Sequence, residues 1–403
     1  MNYRQTTVWI LAASLLVLLA AAPQLCAAEP AKPAPADKQA LVLKPIFDGK
    51  TLDGWVVLGQ GKFTVDEGTI LGQTGKGGWG WLCTKKTYGD FVLEMEVKME
   101  QRGNSGVQIR SHLFAQGKMV GCQVDIDAGA GRTGSLYEQG RRGWLQQFKG
   151  DSAAGKAFKF GQWNRLRIAC IGDSIRTWVN GVGCADHVDS LDIDGIIALQ
   201  VHSGKNVRLR WKNIRIADLG RRTWKPILDA KTLDGWKVIG PGKWQASEGA
   251  VVGTRQRSQR GHGHLITDRE YGDFTIRFQF KSVKGNSGFY FRVAEGGGAG
   301  VKGFQAEVDP ANDVGGLYET GGRAWVVKPT AAQVKKFFKP GQWNAMTVSA
   351  NGRRIVVNVN GIQAAELKND PGRLKGRLAL QLHGGQDLEV AFKNMEILTA
   401  AKK

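Results

Sequence analysis

Three short stretches set amides, acids, a guanidinium and an imidazole at every second position: "VQIR" (107–110), "QVDID" (123–127) and "LQVH" (199–202). Side chains of an extended strand alternate between faces, so Gln108 and Arg110, then Gln123, Asp125 and Asp127, then Gln200 and His202 each oppose Val, Ile or Leu. The division recurs further on, with Tyr290 and Arg292, then Gln305, Glu307 and Asp309, then Gln381 and His383. A solvent-facing sheet is polar too, but it favours Thr, Ser, Lys and Glu. The set found here is of the kind that grips hydroxyls and stabilises developing charge.

Near that face should lie the loop "GSLYEQGRRGW" (134–144), carrying Tyr137, Glu138, Arg141, Arg142 and Trp144, matched later by Tyr318, Glu319, Arg323 and Trp325. Phenol, indole and planar guanidinium beside carboxylates form a sugar-binding vocabulary. "GNSG" (103–106 and 285–288) reads first as a tight backbone turn. Asn104, and Asn286 in the later copy, could also hold a ligand hydroxyl. The stretches "GWGWL" (78–82) and "GHGHL" (261–265) set Trp79 and Trp81, able to stack on a sugar ring, against His262 and His264, a pair at i and i+2 that could share a divalent metal. No cofactor is required by any spacing, and CxxC metal motifs are absent.

These residues ride on strands. "FVLEMEVKM" (91–99), "NRLRIACI" (164–171), "FTIRFQF" (274–280) and "RIVVNVNG" (354–361) alternate apolar with polar, and Asn180-Gly181 and Asn360-Gly361 mark tight turns. Helical periodicity is weak beyond the N-terminus, with one short helical turn expected near Ala331 to Phe338. The chain also repeats itself. "KTLDGW" occurs at 50 and 231, "YGDF" at 88 and 271, "GNSG" at 103 and 285, and "GQWN" at 161 and 341. Such a period is too long for a solenoid, whose units run to roughly 20–50 residues, so each copy is a domain. Many short strands and 55 glycines predict an all-β fold of two packed antiparallel sheets per domain, a jelly roll. The expected division is a signal peptide over 1–28, a Pro/Ala-rich tether over 29–40, and domains over 41–220 and 221–400.

The signal peptide is read from Arg4, the apolar run from Val8 to Ala22 and the small residues Cys26-Ala27-Ala28. It predicts export to the periplasm or beyond the cell, with no transmembrane segment in the mature chain. Cys83, Cys122, Cys170 and Cys184 would then meet oxidising surroundings, yet the second copy has no cysteine, so they read as small buried apolar residues; Cys170 with Cys184 is the pair if one forms. A net charge of +20 is scattered rather than blocked, which reads first as a solvated basic surface; with export it argues against nucleic acid and leaves acidic glycans as the alternative, polyanionic partner.

Taken together, "IFDGKTLDGW", "YGDF", "GNSGVQIR", "GCQVDID", "GSLYE", "GQWN", "VNG" and "ALQVH" followed by "WKNIRI", with their second-copy counterparts, resemble the 3-keto-disaccharide hydrolase domain, formerly domain of unknown function 1080. The resemblance covers nearly all of both copies. It implies a concanavalin A-like jelly roll, export, and action on glycosides whose C3 hydroxyl has become a ketone. The ketone acidifies the C2 proton, so a base can remove it and expel the C1 substituent by elimination, after which water adds back. On that implication Asp125, Asp127 or Glu138 is the base, Arg110 and Arg142 clamp the enolate or hydroxyls, and His202 is acid or relay. In the second copy Glu307, Asp309 and His383 correspond. A two-carboxylate glycosidase and a non-catalytic, lectin-like glycan binder are the alternatives. "GGRAW" in place of "RRGW" costs the second copy one of two adjacent arginines and puts its equal competence in doubt.

Overall fold

The structure is a computed structural model that describes residues 41–74, 78–114, 118–127, 129, 131–204, 207–310 and 313–401. The expected signal peptide and tether, residues 1–28 and 29–40, lie outside these. The described residues from 42 onward form one compact unit. Within it the copies make two jelly-roll sandwiches, each of an eight-stranded and a seven-stranded antiparallel sheet. The first sandwich closes with strand Arg208–Gly220 and the second opens with Trp224–Pro226.

The seven-stranded sheets carry the polar face. In the first sandwich its central strands are Gly80–Tyr88, Gly195–Val201, Asn104–Phe114, Lys118–Asp127 and Leu136–Gln139, hydrogen-bonded in that order. In the second they are Gly263–Thr267, Arg377–Leu382, Ser287–Glu295, Val301–Val308 and Leu317–Thr320. Strands distant in sequence become neighbours, which is how three separate motifs reach one surface.

Alternation explains the sandwich. Val107, Ile109, Val124, Ile126 and Leu199 are fully buried between the sheets with Trp211 from the facing sheet. The second core repeats this with Phe289, Phe304, Ala306 and Leu380. Each repeated "KTLDGW" pins the chain entry: Trp55 Nε1 donates to Ile46 O (2.9 Å) and Trp236 Nε1 to Ile227 O (2.7 Å). Asn180-Gly181 and Asn360-Gly361 both take positive φ at two successive residues, as the tightest hairpins require. The helical turn is Ala331–Phe337, closed at its start by a capping box between Thr330 and Gln333. All four described cysteines are free thiols, so no Cys170–Cys184 bridge forms. Among the described residues no helix is long and apolar enough to cross a membrane.

The sandwiches meet along a polar seam. Asp173 of the first is almost fully buried and accepts from Thr275 Oγ1 (2.8 Å) and Asn351 Nδ2 (3.3 Å) of the second. Arg354 Nη1 donates to Asp186 (2.6 Å), and Arg142 Nη1 to Gly361 O (3.0 Å). In the connection, Arg222 holds Asp90 on one side (2.7 Å) and Thr399 O on the other (3.2 Å).

Candidate functional site

The register lines up matching rows on both polar faces. In the first domain Trp81, Gln200, Gly106 and Asp125 stand side by side on four adjacent strands. Ala198, Gln108, Gln123 and Tyr137 form the next row, which ends at Trp144 on the edge strand. In the second domain His264 pairs with Gln381 and Gly288 with Glu307, while Ala379, Tyr290, Gln305, Tyr318 and Trp325 make the neighbouring row. The last glycine of each "GNSG" has a packing reason. A Cβ on Gly106 would sit 2.5 Å from the Gln123 amide, and one on Gly288 equally near that of Gln305, so the glutamine crosses the sheet where the glycine leaves room.

Amides tie the first face together. Gln108 Nε2 donates to Gln123 Oε1 (2.9 Å), and Ser111 Oγ to Gln108 Oε1 (2.9 Å). Asn104 Nδ2 donates to Asp125 Oδ1 (2.9 Å), but Asp125 Oδ2, Gln200 Oε1 and Trp81 Nε1 are buried with no partner. Burial pushes the Asp125 carboxyl up to about 6, with the charge of Asp127 adding to it against the Asn104 hydrogen bond. Asp127 is held by Arg132 Nη2 (2.6 Å) and by Gly129 N–H (2.7 Å). At the rim Tyr137 packs edge-on against Trp144, with Arg132 over the indole. His202 is exposed and its Nδ1 meets Ser203 O at 2.7 Å.

The second face is different in kind. A cavity of about 320 Å³ opens on it, lined among others by His262, Glu307, Trp325, Gln381 and His383. Tyr290 OH bonds Thr320 Oγ1 (2.8 Å) and accepts from Gln381 Nε2 (3.0 Å). Glu307 takes a long bond from Asn286 Nδ2 (3.4 Å), and burial with Asp309 close by pushes its carboxyl up to about 8. At neutral pH it keeps its proton. The rings of His262 and His383 pack edge to face, 4.6 Å apart. His383 Nδ1 faces Gly384 O at 2.9 Å; a carbonyl only accepts, so Nδ1 carries the proton and Nε2 the lone pair. His262 has the opposite tautomer, because its Nδ1 accepts from Gly384 N–H (3.1 Å) and its proton sits on Nε2. Burial, then the neighbouring His383, holds His262 below the usual imidazole range.

Several expected site residues are elsewhere. Arg110 and Arg292 leave the face because each sits at a β-bulge with positive φ (47° and 52°), which breaks the alternation. The Arg110 guanidinium is buried against Gly89 O (2.9 Å), Gly172 O (2.6 Å) and Asp90 (3.1 Å), and Arg292 against Ala350 O (3.1 Å) and Asp273 (3.4 Å). Glu138 pairs with Cys122 and Glu319 with Phe304, both core-side positions. They bind Arg142 and Arg323 there, which continue to Asp189 and Asp370. None of these six reaches the polar face. His262 and His264 do not converge as a metal pair: His264 is fully buried against Tyr290 at 5.5 Å and pushed down to about 4. Among the described residues no group of three or more His, Cys, Asp or Glu is placed to hold a metal. His262 as a partner of His383 was legible only as part of "GHGH"; nothing in the sequence joined it to a residue 121 positions on.

Another cavity, about 1730 Å³, follows the seam rather than either face. Arg142, Arg277 and Arg354 on its walls are already engaged with Glu138, Glu396 and Asp186.

Jelly rolls serve viral capsids, lectins and cupins alike, so the fold by itself leaves the function open. The family model of the 3-keto-alpha-glucoside-1,2-lyase-like domain matches residues 43–217 and again 223–398, and the chain belongs to that family in two tandem copies. Among curated proteins none matches the sequence. Among solved structures, a "putative glycosyl hydrolase" from Parabacteroides distasonis is similar at 22% identity and TM-score 0.34, over 43% of this chain and 92% of that one. The carbohydrate-binding module CBM66 from Bacillus subtilis is similar at 18% identity and TM-score 0.32, over 40% and 93%. A Bacillus subtilis protein with a galectin-like fold is similar at 11% identity and TM-score 0.32, over 45% and 100%.

Proposed function

We propose that the chain is an exported enzyme that cleaves 3-keto-glycosides by elimination, with the reaction seated in the cavity of the second domain. One observation carries this reading: a buried carboxyl and two imidazoles whose Nδ1 atoms face opposite groups of the Gly384 backbone line one cavity, Glu307, His383 and His262, and burial favours the protonated form of the carboxyl.

Elimination from a 3-ketoside needs a base at C2, a donor for the enolate oxygen and an acid for the leaving oxygen. His383 Nε2 takes the C2 proton, and the electron pair moves onto the C3 oxygen. The His262 Nε2–H donates to that oxygen and stabilises its charge. As the enolate collapses, the C1–O bond breaks and Glu307 gives its proton to the departing oxygen. The products are an aglycone with a free hydroxyl and a sugar with a C1=C2 bond conjugated to the ketone; water added at C1 completes net hydrolysis. Proton return from His383 to Glu307 restores the site. Trp325 and Tyr318, 5.4 Å apart and edge-on, supply the apolar wall for the sugar.

The test is incubation of the purified chain with 3-keto-disaccharides, with and without chelator, following the conjugated ketone by its ultraviolet absorbance. Substrate deuterated at C2 should react several-fold more slowly. Cleavage of unmodified disaccharides at equal rate, or no isotope effect at C2 under single-turnover conditions, refutes the mechanism.

A further inference from the structure

The cavity of the second domain carries a pair of hydroxyls that the first copy lacks. Tyr290 and Thr320 line it, at positions where the first copy has Gln108 and Gln139. Their bonding has a direction. Gln305 Nε2 donates to Gln381 Oε1 (3.4 Å), which leaves Gln381 Nε2 to donate to the Tyr290 hydroxyl (3.0 Å). That hydroxyl has one proton of its own, and Thr320 Oγ1, 2.8 Å away, is the acceptor it meets. Gln305, Gln381 and Tyr290 are all but fully buried, so this order of donors runs inside the protein. Thr320, half-buried at its end, already accepts from Tyr290. Its own proton meets no acceptor among the described residues, and it belongs to a side chain on the cavity wall.

Strand register says which part of a substrate that proton would meet. Gln381, Gly288 and Glu307 share a row. His383, whose N–H bonds Asn286 O, lies one side-chain step to one side of it. Tyr290, Gln305 and Tyr318 lie one step to the other side, and Thr320 one step beyond them. With C2 of the reacting sugar at His383 and the C1 oxygen at Glu307, the leaving group runs on toward Thr320; this placement rests on the elimination proposed above. We propose that Thr320 reads the leaving group: its hydroxyl, fixed as a donor by Tyr290, bonds a hydroxyl oxygen of the departing sugar, so that 3-keto-disaccharides are preferred to 3-ketosides of simple alcohols. A methyl group offers that donor nothing. The first copy, with amides at both positions, has no such selector.

The test is kcat/KM of the full chain on the 3-keto forms of trehalose, sucrose, maltose and cellobiose beside methyl 3-ketoglucoside, in the parent, Thr320→Val and Thr320→Ser. Thr320→Val should lower kcat/KM on the favoured disaccharide about fivefold more than on the methyl ketoside, the scale of one neutral hydrogen bond. Thr320→Ser, which keeps the hydroxyl, should retain the parent's ratio. Melting curves and circular dichroism report whether the variants fold. Where Thr320→Val does not, the parent is assayed with the favoured disaccharide deoxygenated singly at each hydroxyl of its leaving sugar, and one of these should show the same loss. An equal effect of Thr320→Val on disaccharide and methyl ketoside, or deoxygenated substrates that all match the parent compound, overturns the proposal while the catalytic reading stands. If no ketoside is cleaved, calorimetric titration of the same disaccharides into the three proteins decides. Binding weakened by Thr320→Val and kept by Thr320→Ser leaves the role of Thr320 standing as the catalytic reading falls; binding that is absent, or indifferent to the residue, ends both.

Discussion

Glu307→Gln separates the physics of the second cavity from its chemistry. The carboxyl is buried at the centre of the sheet and its pKa is pushed from 4.5 to about 8. In the unfolded chain it titrates at the ordinary value. Below pH 4.5 it is protonated in both states and contributes nothing to the pH dependence. Between 4.5 and 8 the unfolded chain releases the proton and the native state keeps it, so unfolding becomes progressively more favourable as pH rises. Keeping the proton over that window sets an upper bound of about 5 kcal/mol of native-state destabilisation, fully expressed above pH 8. Glutamine fills the same space, can still accept from Asn286 and cannot ionise. Chemical denaturation of parent and variant at intervals from pH 4.5 to 9 should show the parent losing stability across the window relative to the variant. The difference should reach kilocalories per mole at pH 8, while turnover is lost. Parallel pH profiles would refute the claim that this carboxyl is native-state neutral, and with it its role as acid.

Turnover of a 3-keto-disaccharide by the parent should fall as pH rises through about 8, as Glu307 loses its proton; a rate level to pH 9 contradicts the assignment. His383→Gln should lower kcat by about 100-fold or more with KM little changed, read by steady-state kinetics. Arg110→Ala should cost about 3 kcal/mol in denaturant unfolding, since it strips a buried guanidinium from Asp90 and two carbonyls. Arg142→Ala should cost roughly 1–3 kcal/mol by loss of its bonds to Glu138, Asp189 and Gly361, with kcat/KM unchanged because it stands off both polar faces.

Much of this face was legible in the sequence. Period-two alternation placed Gln108, Gln123, Asp125 and Gln200 together, and their counterparts Tyr290, Gln305, Glu307 and Gln381, because those strands are regular through the residues concerned. Alternation failed one step further on. Arg110 and Arg292 follow the pattern in letters but lie on bulges, and a bulge depends on how a strand meets its neighbour. Glu138 and Arg142 misled for a related reason: parity puts Glu138 on the core side, and the turn that follows its short strand brings Arg142 to it there. The opposite tautomers of His262 and His383 were beyond reach, since both follow from the backbone of Gly384, whose N–H and carbonyl serve one ring each. Composition carries no trace of such a shared peptide.

Asp173, sealed between the sandwiches by Thr275 and Asn351, ties the fates of the two copies. Cutting the gene at the linker would strand a carboxylate on one product and leave its donors facing water on the other. Half-length proteins should therefore melt at lower temperature than the parent, and recombination that swaps a single copy between relatives is constrained to carry its mate along.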